Sequence, residues 1–160
     1  MTLKGENRMV KILFICHGNI CRSPMAEFIM KYIIKNSDTA GEYEINSAAV
    51  SYEESGNGIY PPAKEQLRLH CIPFSAHRAT RVERDDYEKY DLFVVMDRSN
   101  VRLIERIFGG DPAGKVHMLL EYTGTLRDVS DPWYSGDFEQ AYDDIFAGCT
   151  ALFEFLEKNT

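Results

Sequence analysis

With 160 residues, the chain is long enough to bury one proper hydrophobic core and short enough to be one domain. Its 18 Lys and Arg stand against 25 Asp and Glu, a formal charge of −7. That balance argues against nonspecific nucleic-acid binding, which needs a cationic surface to displace counterions. Apolar runs such as ILFIC (12–16) are far too short to span a bilayer as a helix, so no membrane association is expected. The opening MTLKGENR is polar and lacks the apolar stretch of a signal peptide. The reading is a cytoplasmic protein with a flexible leader over 1–8 and a single domain over 9–160.

Strand-like and helix-like segments alternate along the chain. MVKILFIC (9–16) reads as a buried strand and SPMAEFIMKYIIKN (23–36) as a helix. YEINSAAV (43–50) reads as a second strand, and PPAKEQLRLHC (61–71) as a helix that opens on prolines, where a missing N–H costs nothing. A short helix is expected near 82–89, then a strand, YDLFVVM (90–96), and a helix, SNVRLIERIF (99–108), stopped by Gly109 and Gly110. KVHMLL (115–120) reads as the fourth strand, and a long helix closes the chain over about 137–157. Strands separated by helices imply right-handed crossovers. The expected fold is therefore α/β: a single-domain three-layer sandwich, with a four-stranded, mainly parallel twisted sheet and helices on both faces.

Four cysteines in a reducing compartment are expected as free thiols. Cys149 falls on a helical stripe with Ala141, Tyr142, Ile145, Leu152 and Leu156, and Cys71 follows Leu67 by four, so both are expected in the core. Cys16 and Cys21 stand apart, in CHGNICRS (16–23), directly after the first strand. A chain that leaves a strand and enters a helix within a few residues presents unpaired backbone N–H groups. The helix adds its positive end, Gly18 permits unusual backbone conformations and close approach to a ligand, and Arg22 offers a planar fork for two phosphate oxygens. The result is a phosphate-binding loop with Cys16 beneath it. Such a setting lowers a thiol from its free pKa of about 8.5 towards about 3.5–7.5, which makes Cys16 a nucleophile, with Ser23 placed to hydrogen-bond it.

CHGNICRSPMAE resembles the signature of the low-molecular-weight protein tyrosine phosphatases. The resemblance continues through NSAAVS (46–51), FSAHRA (74–79), VVMDRSN (94–100) and DPWY (131–134), and so covers nearly the whole chain. It implies Cys16 as nucleophile and Arg22 as phosphate clamp. His17, Gly18, Asn19, Ile20, Cys21 and Ser23 would form the loop, with Asn19 holding its shape. Ser47 and His77 would hydrogen-bond around Asn19. The aspartate of the Asp-Pro pair, Asp131, would be the general acid and then the base; Asp128 is the nearest rival and lacks that context. Trp133 and Tyr134 could wall a slot for a phenyl ring, and Tyr52, Glu53 or Glu54 could line its mouth. Cys21 matches the family's second loop cysteine and could pair reversibly with Cys16 under peroxide.

The implied activity is hydrolysis of protein phosphotyrosine and small aryl phosphates through a phosphocysteine, with no cofactor and no metal. Phosphotyrosine proteins or peptides are the expected partners, and phosphate and other oxyanions the expected inhibitors. Two other readings stay open: a protein arginine phosphatase, and a module that binds phosphotyrosine without turnover. Ile20, where arginine phosphatases favour threonine, and the Trp133–Tyr134 pair favour phosphotyrosine. An arsenate reductase of this fold would need relay cysteines, and none lies between Cys71 and Cys149. GGDPAGK (109–115) spells a nucleotide-binding pattern but follows a helix, precedes a strand and lacks the required Ser or Thr. Cys16 and Cys21 could also be half a zinc site, but no second pair completes it.

Overall fold

The computed structural model describes residues 8–159. Four strands, β1 (Val10–Cys16), β2 (Tyr43–Ala49), β3 (Leu92–Val95) and β4 (Val116–Met118), form one sheet in the order β2-β1-β3-β4. Every pairing is parallel. Five α-helices accompany them: α1 (Arg22–Lys35), α2 (Pro61–Leu69), α3 (Arg98–Phe108), α4 (Pro132–Ser135) and α5 (Phe138–Lys158). Residues 1–7 of the expected leader lie outside the described residues. Arg8, its last residue, pairs with Asp91, whose other oxygen accepts from the Lys11 N–H at 2.8 Å.

The pleat of β1 explains the layers. Val10, Ile12, Phe14 and Cys16 point to one face, where they join a core built with α1, α2 and α5. Leu13 and Ile15 point to the other, where Phe93, Val95, Ile104 and Phe108 complete a second core under α3. Phe14 and Phe93 are fully buried, and each such side chain contributes about 1.5–3 kcal/mol by leaving water. A strand buried on both faces reads as a continuous apolar run rather than an alternating one, and ILFI is such a run.

Several boundaries differ from expectation for local reasons. The fourth strand ends at Met118, because Leu119–Thr123 tightens into a 3₁₀ turn that turns back under α5. The short helix expected near 82–89 is a 3₁₀ helix, Arg84–Glu88. Cys71 is exposed, contrary to the core placement expected from its spacing after Leu67. Helix α2 ends at Leu69 and Cys71 takes φ +56°, so the four-residue spacing no longer keeps it on the buried face. Leu67 and Cys149 are fully buried. No helix among the described residues is long and apolar enough to cross a membrane.

The sheet order places a switch point at β1 and β3, where the loops beyond the strands' carboxyl ends part towards opposite faces. The loop after β1 enters α1 and the loop after β3 enters α3. A narrow cleft opens beside the first of these loops.

Candidate active site

Residues 17–21 link β1 to α1, and the segment just after β2 holds their start in place. The Val50 N–H donates to the Cys16 carbonyl at the end of β1 and the Ser51 N–H to the His17 carbonyl, each at 3.1 Å. The sharp bend falls on Asn19, which adopts φ +61°, whereas Gly18 is not left-handed. Asparagine is one of the few residues that tolerates this region, and here its side chain explains why it stays. Fully buried, Asn19 accepts from the Thr80 N–H through Oδ1 at 3.2 Å. Its Nδ2 donates to Ser23 Oγ at 2.7 Å and to Ser47 Oγ at 3.0 Å. His77 Nε2 lies 2.8 Å from its carbonyl. The bareness of Gly18 has another use: a Cβ there would sit 3.2 Å from Glu54 Cγ, so glycine lets the 53–54 segment close on the loop.

Cys16 ends β1 almost wholly buried, with Sγ 3.0 Å from Ser23 Oγ and 3.3 Å from the Asn19 N–H. Arg22 opens α1, and its guanidinium is only 2 % exposed. It is fixed from three sides. Nη1 donates to Asp97 Oδ2 and to the Val129 carbonyl, both at 2.8 Å, and Nη2 lies 3.4 Å from Asp131 Oδ2. Burial opposes the guanidinium's charge, but Cys16, Asp97 and Asp131 outweigh it and hold its pKa above the ordinary value. Burial also pushes the Cys21 thiol well above its usual range, aided by Cys16 and Asp131, so Cys21 stays a neutral thiol beside Cys16.

Asp131 caps α4: its Oδ1 accepts from the Trp133 N–H at 3.0 Å, while Pro132 fills the first helical position. Its other oxygen faces Arg22. The segment before it is tied to the β3 side by the Val129 N–H, which donates to the Met96 carbonyl at 2.9 Å. Asp128 instead accepts from the Arg98 N–H at 3.1 Å and does not line the cleft.

These groups surround a narrow cleft of ≈ 80 Å³, lined by Cys16, His17, Gly18, Ile20, Cys21 and Arg22, by Glu53 and Glu54, and by Asp131, Trp133 and Tyr134. A larger cavity of ≈ 1070 Å³ opens at the amino-terminal edge of the sheet near Lys11, Tyr90 and Phe155, and holds none of the clustered nucleophile, cation and acid. Chemistry, not size, identifies the site. Trp133 and Tyr134 are 51 % and 86 % exposed, so they wall an open mouth rather than a deep slot; Trp133 rests on Tyr60, ring centroids 4.9 Å apart. Glu53 faces them, 3.4 Å from His17 Nε2. Tyr52 does not line the cleft. Its ring lies under Arg81, 4.6 Å from the guanidinium carbon, and its hydroxyl donates to Glu83, which turns it away from the mouth.

Sequence reasoning missed Asp97, the Val129 carbonyl, Thr80 and Glu27, whose carboxylate accepts from Ser47 Oγ at 2.5 Å. Asp97 carried one local signal, an acidic residue three before Asn100, which the structure resolves as a capping box on α3. Its pairing with Arg22, 75 residues away, has no local signature. Among the described residues, no group of three His, Cys, Asp or Glu side chains is placed to hold a metal ion.

Comparison with known proteins matches this geometry to one family. The sequence model of the low molecular weight phosphotyrosine protein phosphatases matches residues 11–160. The chain is 33 % identical to the low molecular weight protein-tyrosine-phosphatase YfkJ of Bacillus subtilis over 152 residues, covering 94 % of this chain and 97 % of that one. It is 34 % identical over 152 residues to PtpA of Staphylococcus aureus, covering 94 % and 96 %. The crystal structure of YfkJ superimposes with a TM-score of 0.92 over 96 % of this chain and 98 % of the other. That of DARP, a Drosophila arginine phosphatase, superimposes with a TM-score of 0.83 at 25 % identity, over 94 % and 100 %. The chain belongs to the low molecular weight phosphotyrosine protein phosphatase family.

Proposed function

We propose that this protein hydrolyses protein phosphotyrosine and small aryl phosphates in the cytosol, without a metal, by forming and then hydrolysing a phosphocysteine on Cys16. The observation that carries this reading is the convergence of Cys16, Arg22 and Asp131 on one cleft beyond the carboxyl end of β1. Cys16 Sγ attacks phosphorus, the ester P–O bond breaks, and the leaving phenolate takes a proton from Asp131. Asp131 then accepts a proton from water, whose oxygen bonds to phosphorus while the S–P electron pair returns to sulfur. Arg22 and the unpaired N–H groups at the start of α1 hold the equatorial oxygens through both steps, and such preorganised charge is the main protein contribution to phosphoryl transfer. Asp97 and Val129 keep the Arg22 fork in place, so it need not be ordered at the moment of reaction. Trp133 and Tyr134 offer ring surface to the substrate's phenyl group, and free phosphate and other oxyanions compete for the cradle.

A second reading rests on Glu53 and Glu54, two carboxylates on the cleft wall that a guanidinium would meet favourably, and on the likeness to an arginine phosphatase. Steady-state hydrolysis of a phosphotyrosine peptide and a phosphoarginine peptide of matched sequence, in chelator, separates the two. The proposal expects the higher kcat/KM on phosphotyrosine. A preference for phosphoarginine overturns the substrate assignment, and tight binding of either peptide with no turnover overturns the enzyme reading.

A further inference from the structure

Behind the loop runs a chain of hydrogen bonds that the mechanism above does not use, and it ends on a carboxylate. Glu27, on α1, is 8 % exposed. Its Oε2 accepts from Lys31 Nζ at 2.5 Å, an i,i+4 pair that balances the charge, and its Oε1 accepts from Ser47 Oγ at 2.5 Å. The next links are Ser47 to Asn19, Asn19 to Ser23, and Ser23 to Cys16 Sγ.

The directions of the Ser47 and Asn19 protons follow from valence, and that of Ser23 from which acceptor is nearer. An ionised carboxylate only accepts, so the single Ser47 hydroxyl proton goes to Glu27 and its lone pair faces Asn19. Asn19 cannot be flipped, because the Thr80 N–H fixes Oδ1 as the acceptor. Both Nδ2 protons are therefore given away, one to each serine. Ser23, receiving one, has its own proton free, with Cys16 Sγ at 3.0 Å as the near acceptor and the Ala48 carbonyl at 3.5 Å as the far one.

We propose that Glu27 is a positioning residue for the reaction: by terminating this chain as a pure acceptor, it holds Ser47 and Asn19 so that Ser23 donates to the Cys16 sulfur. The inference rests on Cys16 being the nucleophile. Donation to sulfur matters most when the S–P bond breaks and the electron pair returns to Cys16, so Glu27 acts chiefly on breakdown of the phosphocysteine. Without Glu27, the Ser47 proton loses its acceptor, Ser47 can reorient, and Asn19 loses one of the two oxygens that hold its amide.

The test is pre-steady-state and steady-state hydrolysis of p-nitrophenyl phosphate by wild type, Glu27→Leu, Glu27→Gln and Ser47→Ala. Glutamine keeps an acceptor oxygen for Ser47 and leucine does not. Glu27→Leu is expected to lose about tenfold in kcat with KM falling alongside, and to accumulate phosphoenzyme as a larger burst, the signature of slowed breakdown. Glu27→Gln stays within about threefold of wild type, and Ser47→Ala, which cuts the chain while sparing the Glu27–Lys31 pair, reproduces the leucine pattern. Should Glu27→Leu fail to fold, Ser47→Ala alone carries the same expectation. Either chain-breaking variant with unchanged kcat, or with raised KM and no extra burst, overturns the proposal, since a merely structural role would spoil phosphate binding. A wild-type enzyme that turns over without forming phosphoenzyme overturns instead the reading of Cys16 on which the proposal rests.

Discussion

Asp97 uses both carboxylate oxygens, and each use can be removed separately. Oδ1 caps α3 by accepting the Asn100 N–H at 2.8 Å, and Oδ2 accepts from the buried Arg22 at 2.8 Å. Truncation to alanine loses the cap, about 1 kcal/mol, and leaves a buried cation without its nearest charged partner, about 3–5 kcal/mol. Arg22 keeps the Val129 carbonyl and Asp131, which favours the lower end of that range. A loss of about 4 kcal/mol is therefore expected for Asp97→Ala, or about 8–16 °C in Tm for a chain of this size. Asparagine has one acceptor oxygen for two donors, so Asp97→Asn must abandon either the cap or the guanidinium and should lose about 2 kcal/mol. Both changes free the Arg22 fork, and misplacement of that kind lowers kcat/KM by up to about 10²-fold. Urea unfolding followed by circular dichroism, with p-nitrophenyl phosphate kinetics on the same samples, reads both effects. An Asp97→Ala protein within about 1 kcal/mol of wild type and fully active would refute the argument that this pair organises the site.

Three further outcomes are expected. In Gly148→Ala, a Cβ would meet Leu119 Cγ at 2.5 Å, so the overpacking cost of about 1–3 kcal/mol outweighs the helix-propensity gain of about 1 kcal/mol; a rise in stability on urea unfolding would show that the α5 contact yields. Burial opposes ionisation of Asp111, but hydrogen bonds from the Tyr87 hydroxyl and from the Val116 and Lys115 N–H groups outweigh it and hold its pKa below the usual value. Its folded pKa being depressed, it adds stability above the unfolded pKa of about 4 that is lost as pH falls through the folded value. Asp111→Asn should thus cost about 1–2 kcal/mol at pH 7, a difference that shrinks on acidification; a pH-independent loss would contradict the assignment. Peroxide is expected to oxidise Cys16 to a sulfenic acid, with which the Cys21 thiol would condense, releasing water and forming a disulfide. Inactivated wild type should recover in dithiol while Cys21→Ser does not, and full recovery of that variant would remove the protective role.

The central strands β1 and β3 were legible because burial on both faces leaves apolar runs, and the loop because its chemistry is local: thiol, glycine, asparagine and arginine lie within CHGNICR. The supports of that loop were harder to read. Glu27 reads as an ordinary helix carboxylate, and only the fold brings it to Ser47 on β2. Asp97 and Val129 reach Arg22 across 75 and 107 residues. Where local rules were carried too far they failed for identifiable reasons. Gly18 was read as the residue that permits unusual backbone in the loop, but the left-handed residue is Asn19, held there by its buried partners. Helical spacing placed Cys71 in the core, but the helix had already ended. Tyr52 was a candidate for the mouth from its position alone, and Arg81 and Glu83 hold it elsewhere.

The central claim is that Cys16 is the nucleophile and Asp131 the proton donor on one substrate in one cleft. The direct measurement is turnover of a phosphotyrosine peptide, in chelator, by Cys16→Ser, Asp131→Ala and wild type. The account predicts no turnover from the first and a loss of about 10²–10⁴-fold in kcat from the second. Turnover by Cys16→Ser at a rate near wild type would contradict it.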